Sequence, residues 1–158
     1  MNHTNAETST LVNGGVMMKV QQLMTTNVQC CKPTDTIQAA AQIMANVNCG
    51  SVPVCENKRV VGMITDRDIV LNAISKGKTS ANVNECMSPA AITCTPETDA
   101  HEAADMMAQH QIRRLPVVDA SGQLCGICSI GDLATVDIHI NEAGDALSKI
   151  SEQSSTLH

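Results

Sequence analysis

The two halves of the 158-residue chain repeat one another at a nearly constant spacing. The spacing is 63 residues at first and 64 later, because the segment "DASGQ" contains one extra residue. A unit of about 55 residues is too small to bury both faces of a sheet and its helices alone. We therefore expect the two copies to pack together as one pseudo-twofold body with a cleft between them. The matched positions are Pro33 and Pro96, Pro53 and Pro116, Gly62 and Gly126, Thr65 and Ser129, and Asp68 and Asp132.

This duplication predicts five segments along the chain. The first 15 residues and the connection between the repeats are polar, which is typical of chain ends and loops. Near the C-terminus, "NEAGDALSKI" has the spacing of a short amphipathic helix. The predicted segments are a flexible stretch over 1–17, a first repeat over 18–76, a linker over 77–82, a second repeat over 83–136, and a C-terminal helix and tail over 137–158.

Each repeat shows the same order of elements, β-α-β-β-α. A short amphipathic opening ("KVQQLM" or "VNECM") leads to a brief β segment ("VQCC" or "AITC"). "DTIQAAAQIMANVN" and "TDAHEAADMMAQHQ" then place Ala, Ile and Met at helical spacing. Two apolar strands follow, "SVPVCE" with "VVGMIT" and "LPVVD" with "LCGICS", and the second strand of each pair runs into a final helix. This order predicts a mixed α+β fold.

The composition excludes several classes of function. The net charge is −6, which argues against a broad surface for nucleic acid or anionic membranes. The chain has no Phe, Tyr or Trp, so aliphatic side chains rather than aromatic stacking must hold any flat ligand. Neither a membrane-spanning apolar run nor a secretory signal is present, so we expect a cytoplasmic protein. No nucleophile–base set or phosphate-binding glycine loop occurs, so we do not expect an enzyme.

Two strand-to-helix turns each carry a hydroxyl and, three residues later, a carboxylate. They are "ITDRD", with Thr65 and Asp68, and "CSIGD", with Ser129 and Asp132. This is the spacing of a capping box, which stabilises a helix start by roughly 1 kcal/mol. A helix N-terminus also attracts anions, because its free N–H groups and its dipole favour negative charge. Since both turns face the predicted cleft, we expect them to border a ligand as well as to cap a helix.

Together the repeats resemble a tandem pair of CBS domains, a Bateman module, of the stand-alone bacterial kind. The resemblance rests on "GxVPV…VVGMITDRDI" and "RRLPVVD…LCGICSIGDL", and it extends over nearly all of 18–136. It implies duplicated β-α-β-β-α CBS units packed as a pseudo-twofold pair. It also implies a regulatory or sensor module that binds AMP, ADP, ATP or S-adenosylmethionine between the repeats, with no resident cofactor. Such modules often form homodimers through helix faces such as 66–76 and regulate a protein partner.

The resemblance further implies two ligand sites in the cleft. In the family, the Asp of the hydroxyl-x-x-Asp turn accepts hydrogen bonds from the ribose, and residues before "PV" face the phosphates. The adenine would lie against 25–29 and 89–92, and against Val52 and Leu115. One site would use Thr65 and Asp68 with Arg113 and Arg114, and the other would use Ser129 and Asp132 with Gly50 and Ser51.

The charges around these two sites differ. Arg113 and Arg114 directly precede the strand "LPVV", and a guanidinium group is well suited to bind phosphate. The alternative for these arginines is a solvated strand end or an ion pair with nearby acids. The first repeat has an uncharged "GS" at the equivalent place, and Gly131 replaces Arg67 in the second turn. We therefore expect the first site to prefer phosphorylated ligands, and the second to bind phosphate weakly, to prefer nucleosides or S-adenosylmethionine, or to stay empty.

Two other functions remain open from the sequence. The first is a dimerisation scaffold whose cleft binds no ligand. The second is a redox or metal sensor that uses Cys30, Cys31, Cys125 and Cys128, because "CC" and "CGIC" bring thiols close in sequence. Positions three apart on a strand face opposite sides, so a lone CxxC in an apolar strand is a weak metal signal. We expect most of the eight cysteines to be packed thiols and no metal to be bound.

Overall fold

A computed structural model describes residues 18–89, 91–135 and 140–152. The flexible segment predicted over 1–17 and the end of the predicted tail lie outside the described residues. The strands are β1 (Ser51–Glu56), β2 (Arg59–Thr65), β3 (Ser88–Pro89), β4 (Arg114–Val118) and β5 (Leu124–Ser129). The helices are α1 (Ile37–Val47), α2 (Asp66–Asn72), α3 (Ala100–His110), α4 (Ile130–Ala134) and α5 (Ile140–Glu152). Short 3₁₀ turns lie at Val20–Gln22, Ile74–Lys76 and Val83–Glu85.

Equivalent residues begin and end the first helix of each repeat. The side chain of Thr36 accepts a first-turn N–H of α1 at 3.1 Å, and the side chain of Asp99 accepts one of α3 at 2.8 Å. Both helices end at a left-handed residue, Asn48 with φ of 51° and Gln111 with φ of 59°. Polar N-caps and left-handed C-caps satisfy backbone groups that a helix leaves unbonded. The duplication therefore extends to the caps as well as to the apolar pattern.

Each repeat forms an antiparallel hairpin whose free edge takes a segment from the other repeat. In the first repeat β1 pairs with β2 so that Ser51 lies opposite Thr65, and in the second β4 pairs with β5. The short strand β3 then pairs with β2. At the equivalent edge of the second sheet, Thr25 and Ile127 exchange two backbone hydrogen bonds of 2.9 Å. Each opening segment thus extends the sheet of the opposite repeat.

These crossings depend on two glycines that the repeats share. A Cβ atom on Gly62 would lie 2.5 Å from the backbone oxygen of Ser88, and one on Gly126 would lie 2.6 Å from the sulfur of Met24. Glycine inside a strand often marks such a close approach by another segment of chain. The matched glycines therefore mark the places where one repeat crosses the other.

The openings also complete the core of the opposite repeat. Val20 is fully buried in the core of the second repeat, and Val83 is fully buried in the core of the first. The N–H of Val20 donates to the carbonyl of Thr98 at 2.8 Å, and the N–H of Val83 donates to that of Asp35 at 2.8 Å. Neither core is complete without a segment that belongs to the other copy.

The first β segment predicted for each repeat is reduced to a single bridging residue. Cys31 pairs in parallel with Val54, and Cys94 pairs in parallel with Val117. The residues before each cysteine carry the chain from the edge of the opposite sheet back to its own hairpin.

Both cores consist of aliphatic side chains, methionine thioethers and cysteine thiols, as the absence of aromatic residues requires. Helix α5 packs against α3 and α4, so it extends the second repeat. None of the helices in the described ranges has the length and apolar character needed to cross a bilayer. The larger core side chains include Ile37, Met44, Val52, Val54 and Ile64 in the first repeat, and Met107, Leu115, Val117 and Leu133 in the second.

Candidate functional site

A cavity of about 670 Å³ lies between the two repeats. This is within the range of roughly 300–1,000 Å³ that is usual for small-molecule sites. The apolar part of its wall includes Met63, Pro89, Ile92, Ile112 and Ile150. The residues of the two predicted sites that line it are Gly50, Ser51, Thr65, Arg67, Arg113 and Arg114, with Pro89, Ala91 and Ile92 of the segment predicted to hold the adenine. Residues 25–29, also predicted to hold the adenine, do not line it.

The first hairpin and the start of α2 form one end of the cavity. Antiparallel pairing places Ser51 opposite Thr65, and the N–H of Asp66 donates to the carbonyl of Gly50 at 2.9 Å. The sequence-based expectation paired Gly50 and Ser51 with the turn of the other repeat. The structure instead places them beside Thr65 and on the same cavity as the arginines, because the strand register joins the two ends of one hairpin.

The hydroxyl of Ser51 has an unusual environment. Among the described residues it is the only buried side-chain nitrogen or oxygen atom that lacks a hydrogen-bond partner. A buried hydroxyl without a partner costs about 1–3 kcal/mol, and such atoms are normally satisfied in folded proteins. Ser51 is one of the residues that line the cavity, although its hydroxyl oxygen itself is buried.

Three guanidinium groups contribute positive charge to the same cavity. They belong to Arg67 on α2, Arg113 before β4 and Arg114 at the first position of β4. Among the described residues, none of these three arginines forms an ion pair with a carboxylate, whereas Nζ of Lys19 lies 2.6 Å from Oε2 of Glu97. The carboxylate of Asp66 lies on the same wall and offsets part of this positive charge without forming an ion pair with an arginine. This geometry disfavours the alternative in which Arg113 and Arg114 serve only as partners for nearby acids.

The backbone N–H groups at the start of α2 are already bonded within the protein. The N–H of Asp66 donates to Gly50, that of Arg67 donates to Oδ1 of Asp66 at 2.7 Å, and that of Asp68 donates to Oγ1 of Thr65 at 3.0 Å. The sequence suggested that such N–H groups would attract an anion. In this arrangement the positive charge available to a ligand comes from side chains instead.

Three residues predicted to contact the ligand are not among those that line this cavity. Asp68 completes the capping box, because its Oδ2 accepts the N–H of Thr65 at 3.0 Å. Val52 and Leu115 are 1% and 0% exposed and belong to the cores of the first and second repeat. Each of the three is bonded to or adjacent to a lining residue. Asp68 accepts the N–H of Thr65, and the two apolar residues directly follow Ser51 and Arg114 in the chain.

The second turn repeats the cap geometry away from this cavity. The N–H of Ser129 donates to Oδ2 of Asp132 at 2.8 Å, and the N–H of Asp132 donates to Oγ of Ser129 at 3.1 Å. The carbonyl of Arg113 accepts the N–H of Ile130 at 2.9 Å, as the carbonyl of Gly50 does for α2. Neither Ser129 nor Asp132 lines the cavity that holds the arginines, so the structure does not bring the two predicted sites together.

Sequence reasoning missed six positions on the wall, namely Met63, Asp66, Ser88, Gln111, Ile112 and Ile150. Asp66 was assigned to the helix cap alone, although its neighbours Thr65 and Arg67 were predicted to face the ligand. Gln111 lies close before the predicted arginine pair, and that proximity was an available signal. Ile150 belongs to α5, which lies outside the duplicated part of the chain, so no repeat pattern could have placed it.

The cysteines are free thiols, and no group of three or more potential ligands in the described part of the chain could hold a metal ion. Burial raises the pKa of Cys31 to about 11 and that of Cys128 to about 12. Both therefore remain protonated near neutral pH, whereas metal binding and thiol reactivity require the thiolate. Cys30 is exposed, and Cys125 is partly buried with its Sγ 3.3 Å from the carbonyl oxygen of Val117.

Comparison with known proteins gives consistent matches. The CBS domain-containing protein YhcV of Bacillus subtilis is 43% identical to this chain over 138 residues. The match covers 87% of this chain and 98% of YhcV. Hypoxic Response Protein I of Mycobacterium tuberculosis, solved with two coordinated zinc ions, is 30% identical with a TM-score of 0.69, covering 75% of this chain and 98% of its own. CBSX2 of Arabidopsis thaliana, solved in complex with AMP, is 26% identical with a TM-score of 0.68, covering 78% of this chain and 98% of its own.

The family profile of the CBS domain matches the chain twice, over residues 20–74 and 83–139. These two matches correspond to the two copies found by internal comparison, and together they cover more than half of the chain. The predicted mixed α+β fold of two packed repeats is confirmed by the likeness to solved CBS domain structures, which include a CBS domain protein of Thermoplasma acidophilum with a TM-score of 0.75. The chain therefore belongs to the CBS domain family, as a tandem pair of CBS domains.

Proposed function

We propose that this protein is a regulatory module that senses an adenine nucleotide bound in the cavity between its two CBS domains. The observation that carries the proposal is the presence of three unpaired guanidinium groups beside an apolar wall. Such a cavity suits a ligand with a flat, weakly polar base at one end and phosphate at the other. AMP, ADP and ATP have this form, whereas S-adenosylmethionine has the base without the phosphate.

The available charges are sufficient for a useful affinity. A hydrogen bond to a charged group contributes about 1.5–3 kcal/mol, and micromolar binding requires about 8 kcal/mol. Two or three arginine contacts and burial of the base would together reach that value. Arg67 and Arg113 are exposed, so solvent and salt weaken their contributions. Arg114 is partly buried, and we expect it to contribute most.

Hydroxyl groups on the wall would orient the ligand. Ser51 offers a buried hydroxyl that has no partner in the protein. Thr65 accepts the N–H of Asp68, which leaves its own O–H free to donate. Asp68 does not itself line the cavity, but it directly follows the lining residue Arg67 in the chain. Its Oδ2 is used in the cap, and we propose that its other oxygen contacts the ribose hydroxyls, as the family resemblance implies. In this arrangement the cap fixes the turn and the ligand uses the remaining polar atoms.

A solved relative supports this choice of ligand class. CBSX2, which shares 26% identity with this chain, was crystallised in complex with AMP. The second turn, with Ser129 and Asp132, has Gly131 where the first has Arg67. We therefore propose that this turn binds phosphate weakly and either takes an unphosphorylated adenosine compound or stays empty.

The proposed role is regulatory rather than catalytic. A ligand changes an equilibrium only to the extent that it favours one arrangement over another, so occupancy must alter the pairing of this module with a copy or a partner.

Val70, Leu71 and Ile74 are about half exposed, at 53%, 45% and 50%, on α2 and the turn that follows it. We propose that this apolar face pairs two copies into a homodimer. The free thiols suit a reducing compartment such as the cytoplasm.

Isothermal titration calorimetry with AMP, ADP, ATP, S-adenosylmethionine and adenosine tests this function. We expect micromolar binding of the phosphorylated ligands and weaker binding of adenosine. A preference for S-adenosylmethionine would contradict the role given to the arginines. No binding of any of the five compounds would overturn the sensor function and leave a dimerisation scaffold as the better description.

A further inference from the structure

We propose that the last turn of α5 forms part of the nucleotide site, and that its docking on the second repeat is coupled to occupancy of the cavity. This inference rests on the proposed function, because the ligand is the same adenine nucleotide. It identifies α5 as the element whose position on the protein surface would change when a ligand binds in the cavity.

Over 143–152, a stripe of buried side chains holds α5 on the body of the protein. Ala143, Ala146 and Ile150 are 4%, 2% and 9% exposed, and their i, i+3, i+7 spacing places them on one face of the helix. Leu147 lies between them in sequence and is 42% exposed. Ile150 is the largest side chain of this buried stripe. Ile150 is the one buried residue in the last turn of α5, so the docking of that turn depends mainly on it.

The same residue lies on the wall of the cavity. Ile150 lines the cavity together with Ile112, Gln111 and the two arginines that precede and begin β4. The other lining residues belong to the two repeats or to the chain that crosses between them. A base placed against Ile112 would also contact the end of α5.

Gln111 connects this wall to both helices by hydrogen bonds. Its Nε2 donates to the carbonyl of Lys149 at 3.2 Å and to that of Ala108 at 3.4 Å. Ala108 lies in the last turn of α3, and Lys149 lies in the last turn of α5. One side chain on the cavity wall therefore bonds the ends of two helices at once, and a ligand that moves it would affect how α5 is held.

The coupling follows from these contacts. A ligand that contacts docked Ile150 binds the docked arrangement more tightly than an arrangement in which α5 has moved away. Linkage then requires that docking of α5 raise ligand affinity by the same factor. Ile150 is apolar and cannot distinguish a phosphate from a hydroxyl. Its contribution should therefore be equal for AMP and adenosine, unlike that of the arginines.

Calorimetry with AMP and adenosine on the full chain and three variants tests this coupling. Ile150→Ala removes the side chain shared by the stripe and the cavity. Ala146→Glu places a charge in the buried stripe at a position that does not line the cavity. Leu147→Ala changes an exposed apolar residue of the same helix and is the matched control. Hydrogen exchange of α5 amides with and without AMP provides a second measurement, and thermal unfolding without ligand checks that each variant is folded.

We expect Ile150→Ala and Ala146→Glu to weaken both ligands by about tenfold, within the usual range of coupling between two sites, and Leu147→Ala to change neither. AMP should slow hydrogen exchange in the last turn of α5 in the wild-type protein. Wild-type affinity in both stripe variants, with exchange in α5 unaffected by AMP, would overturn the coupling and leave the proposed function intact. A wild-type protein that binds neither compound would overturn both.

Discussion

The two strand-to-helix turns have nearly the same geometry and different surroundings. In the first, Thr65 and Asp68 exchange two hydrogen bonds of 3.0 Å, and in the second Ser129 and Asp132 exchange bonds of 2.8 and 3.1 Å. The first turn borders a cavity with three arginines, and the second carries Gly131 in the place of Arg67. The comparison teaches that the capping box is a structural feature retained by both copies, whereas the charge around it distinguishes the copies as binding sites.

The largest expected effect concerns the two crossing points. Gly62→Ala should lower the free energy of unfolding by about 3 kcal/mol, and Gly126→Ala by about 1 kcal/mol, within the range usual for overpacking. The reason is that a Cβ at position 62 meets a backbone oxygen at 2.5 Å, whereas a Cβ at 126 first meets the movable sulfur of Met24 at 2.6 Å. Urea unfolding of both variants measures the difference. Equal losses would show that the two crossings are equally rigid.

The next effect tests whether charge distinguishes the two turns. Arg114→Ala should weaken AMP binding by about 30-fold, equivalent to about 2 kcal/mol, because it removes a charge-assisted contact. Adenosine binding should change less than twofold. Arg59→Ala is the matched control, since it removes an equal charge from β2 at a position that does not line the cavity. The assignment fails if calorimetry gives the same loss for AMP and adenosine, or the same loss for both variants.

A smaller effect tests whether the caps are equivalent. Thr65→Ala and Ser129→Ala should each lower the free energy of unfolding by about 1 kcal/mol, because each removes the acceptor of one helix N–H. Thr65→Ala should also weaken AMP, since Thr65 lines the cavity and Ser129 does not. Thr65→Ser should restore the stability. A much larger loss at one turn, measured by denaturant unfolding, would contradict the view that the two boxes are interchangeable as caps.

The smallest effect concerns the buried thiols of the two cores. The folded state holds the pKa of Cys31 at about 11 and that of Cys128 at about 12, above the usual value near 9. Between pH 9 and these values the unfolded chain loses protons that the folded chain keeps, so stability falls as pH rises. At pH 9.5 each thiol should lower the free energy of unfolding by a little under 1 kcal/mol relative to pH 7.

Single cysteine variants separate the pH dependence caused by these two thiols from that caused by other ionising groups. Cys31→Ala and Cys128→Ala should lose stability at every pH, because each leaves a small cavity in a core. Each should also show a shallower decline than the wild type when denaturant unfolding is repeated from pH 7 to 9.5. A decline that matches the wild type in both variants would show that these thiols ionise as readily in the folded protein as in the unfolded chain.

Much of the fold could be predicted because its signals are local or repeated. Helical spacing placed α1 and α3 within one or two residues of their observed ends, and the apolar runs gave both hairpins. The short strand β3 was not predicted, because two residues carry no periodic pattern and pair only when the chain crosses to the other sheet. In place of the predicted first strand of each repeat, the structure has a single bridging residue, Cys31 or Cys94, because the chain is crossing between the two sheets there.

The candidate site was partly predictable for a similar reason. Thr65, Arg67, Arg113 and Arg114 have local signals, namely a cap spacing and a charge next to an apolar strand, and all four line the cavity. Ser51 also lines it, but beside Thr65 rather than beside the second turn. Residue spacing alone could not decide which hairpin end would face which turn, because that depends on strand register and on how the repeats cross.

The sequence by itself determined that the chain contains two copies of one mixed α+β unit, with matching caps, matching glycines and an uneven distribution of charge. These features are encoded in residue types at fixed spacings, so they can be recognised without coordinates. Only the tertiary structure decided that Val20 and Val83 complete the opposite cores, and that Ile150 reaches the cavity. Burial of apolar surface is not directional, so an amphipathic segment alone does not indicate which core it will complete.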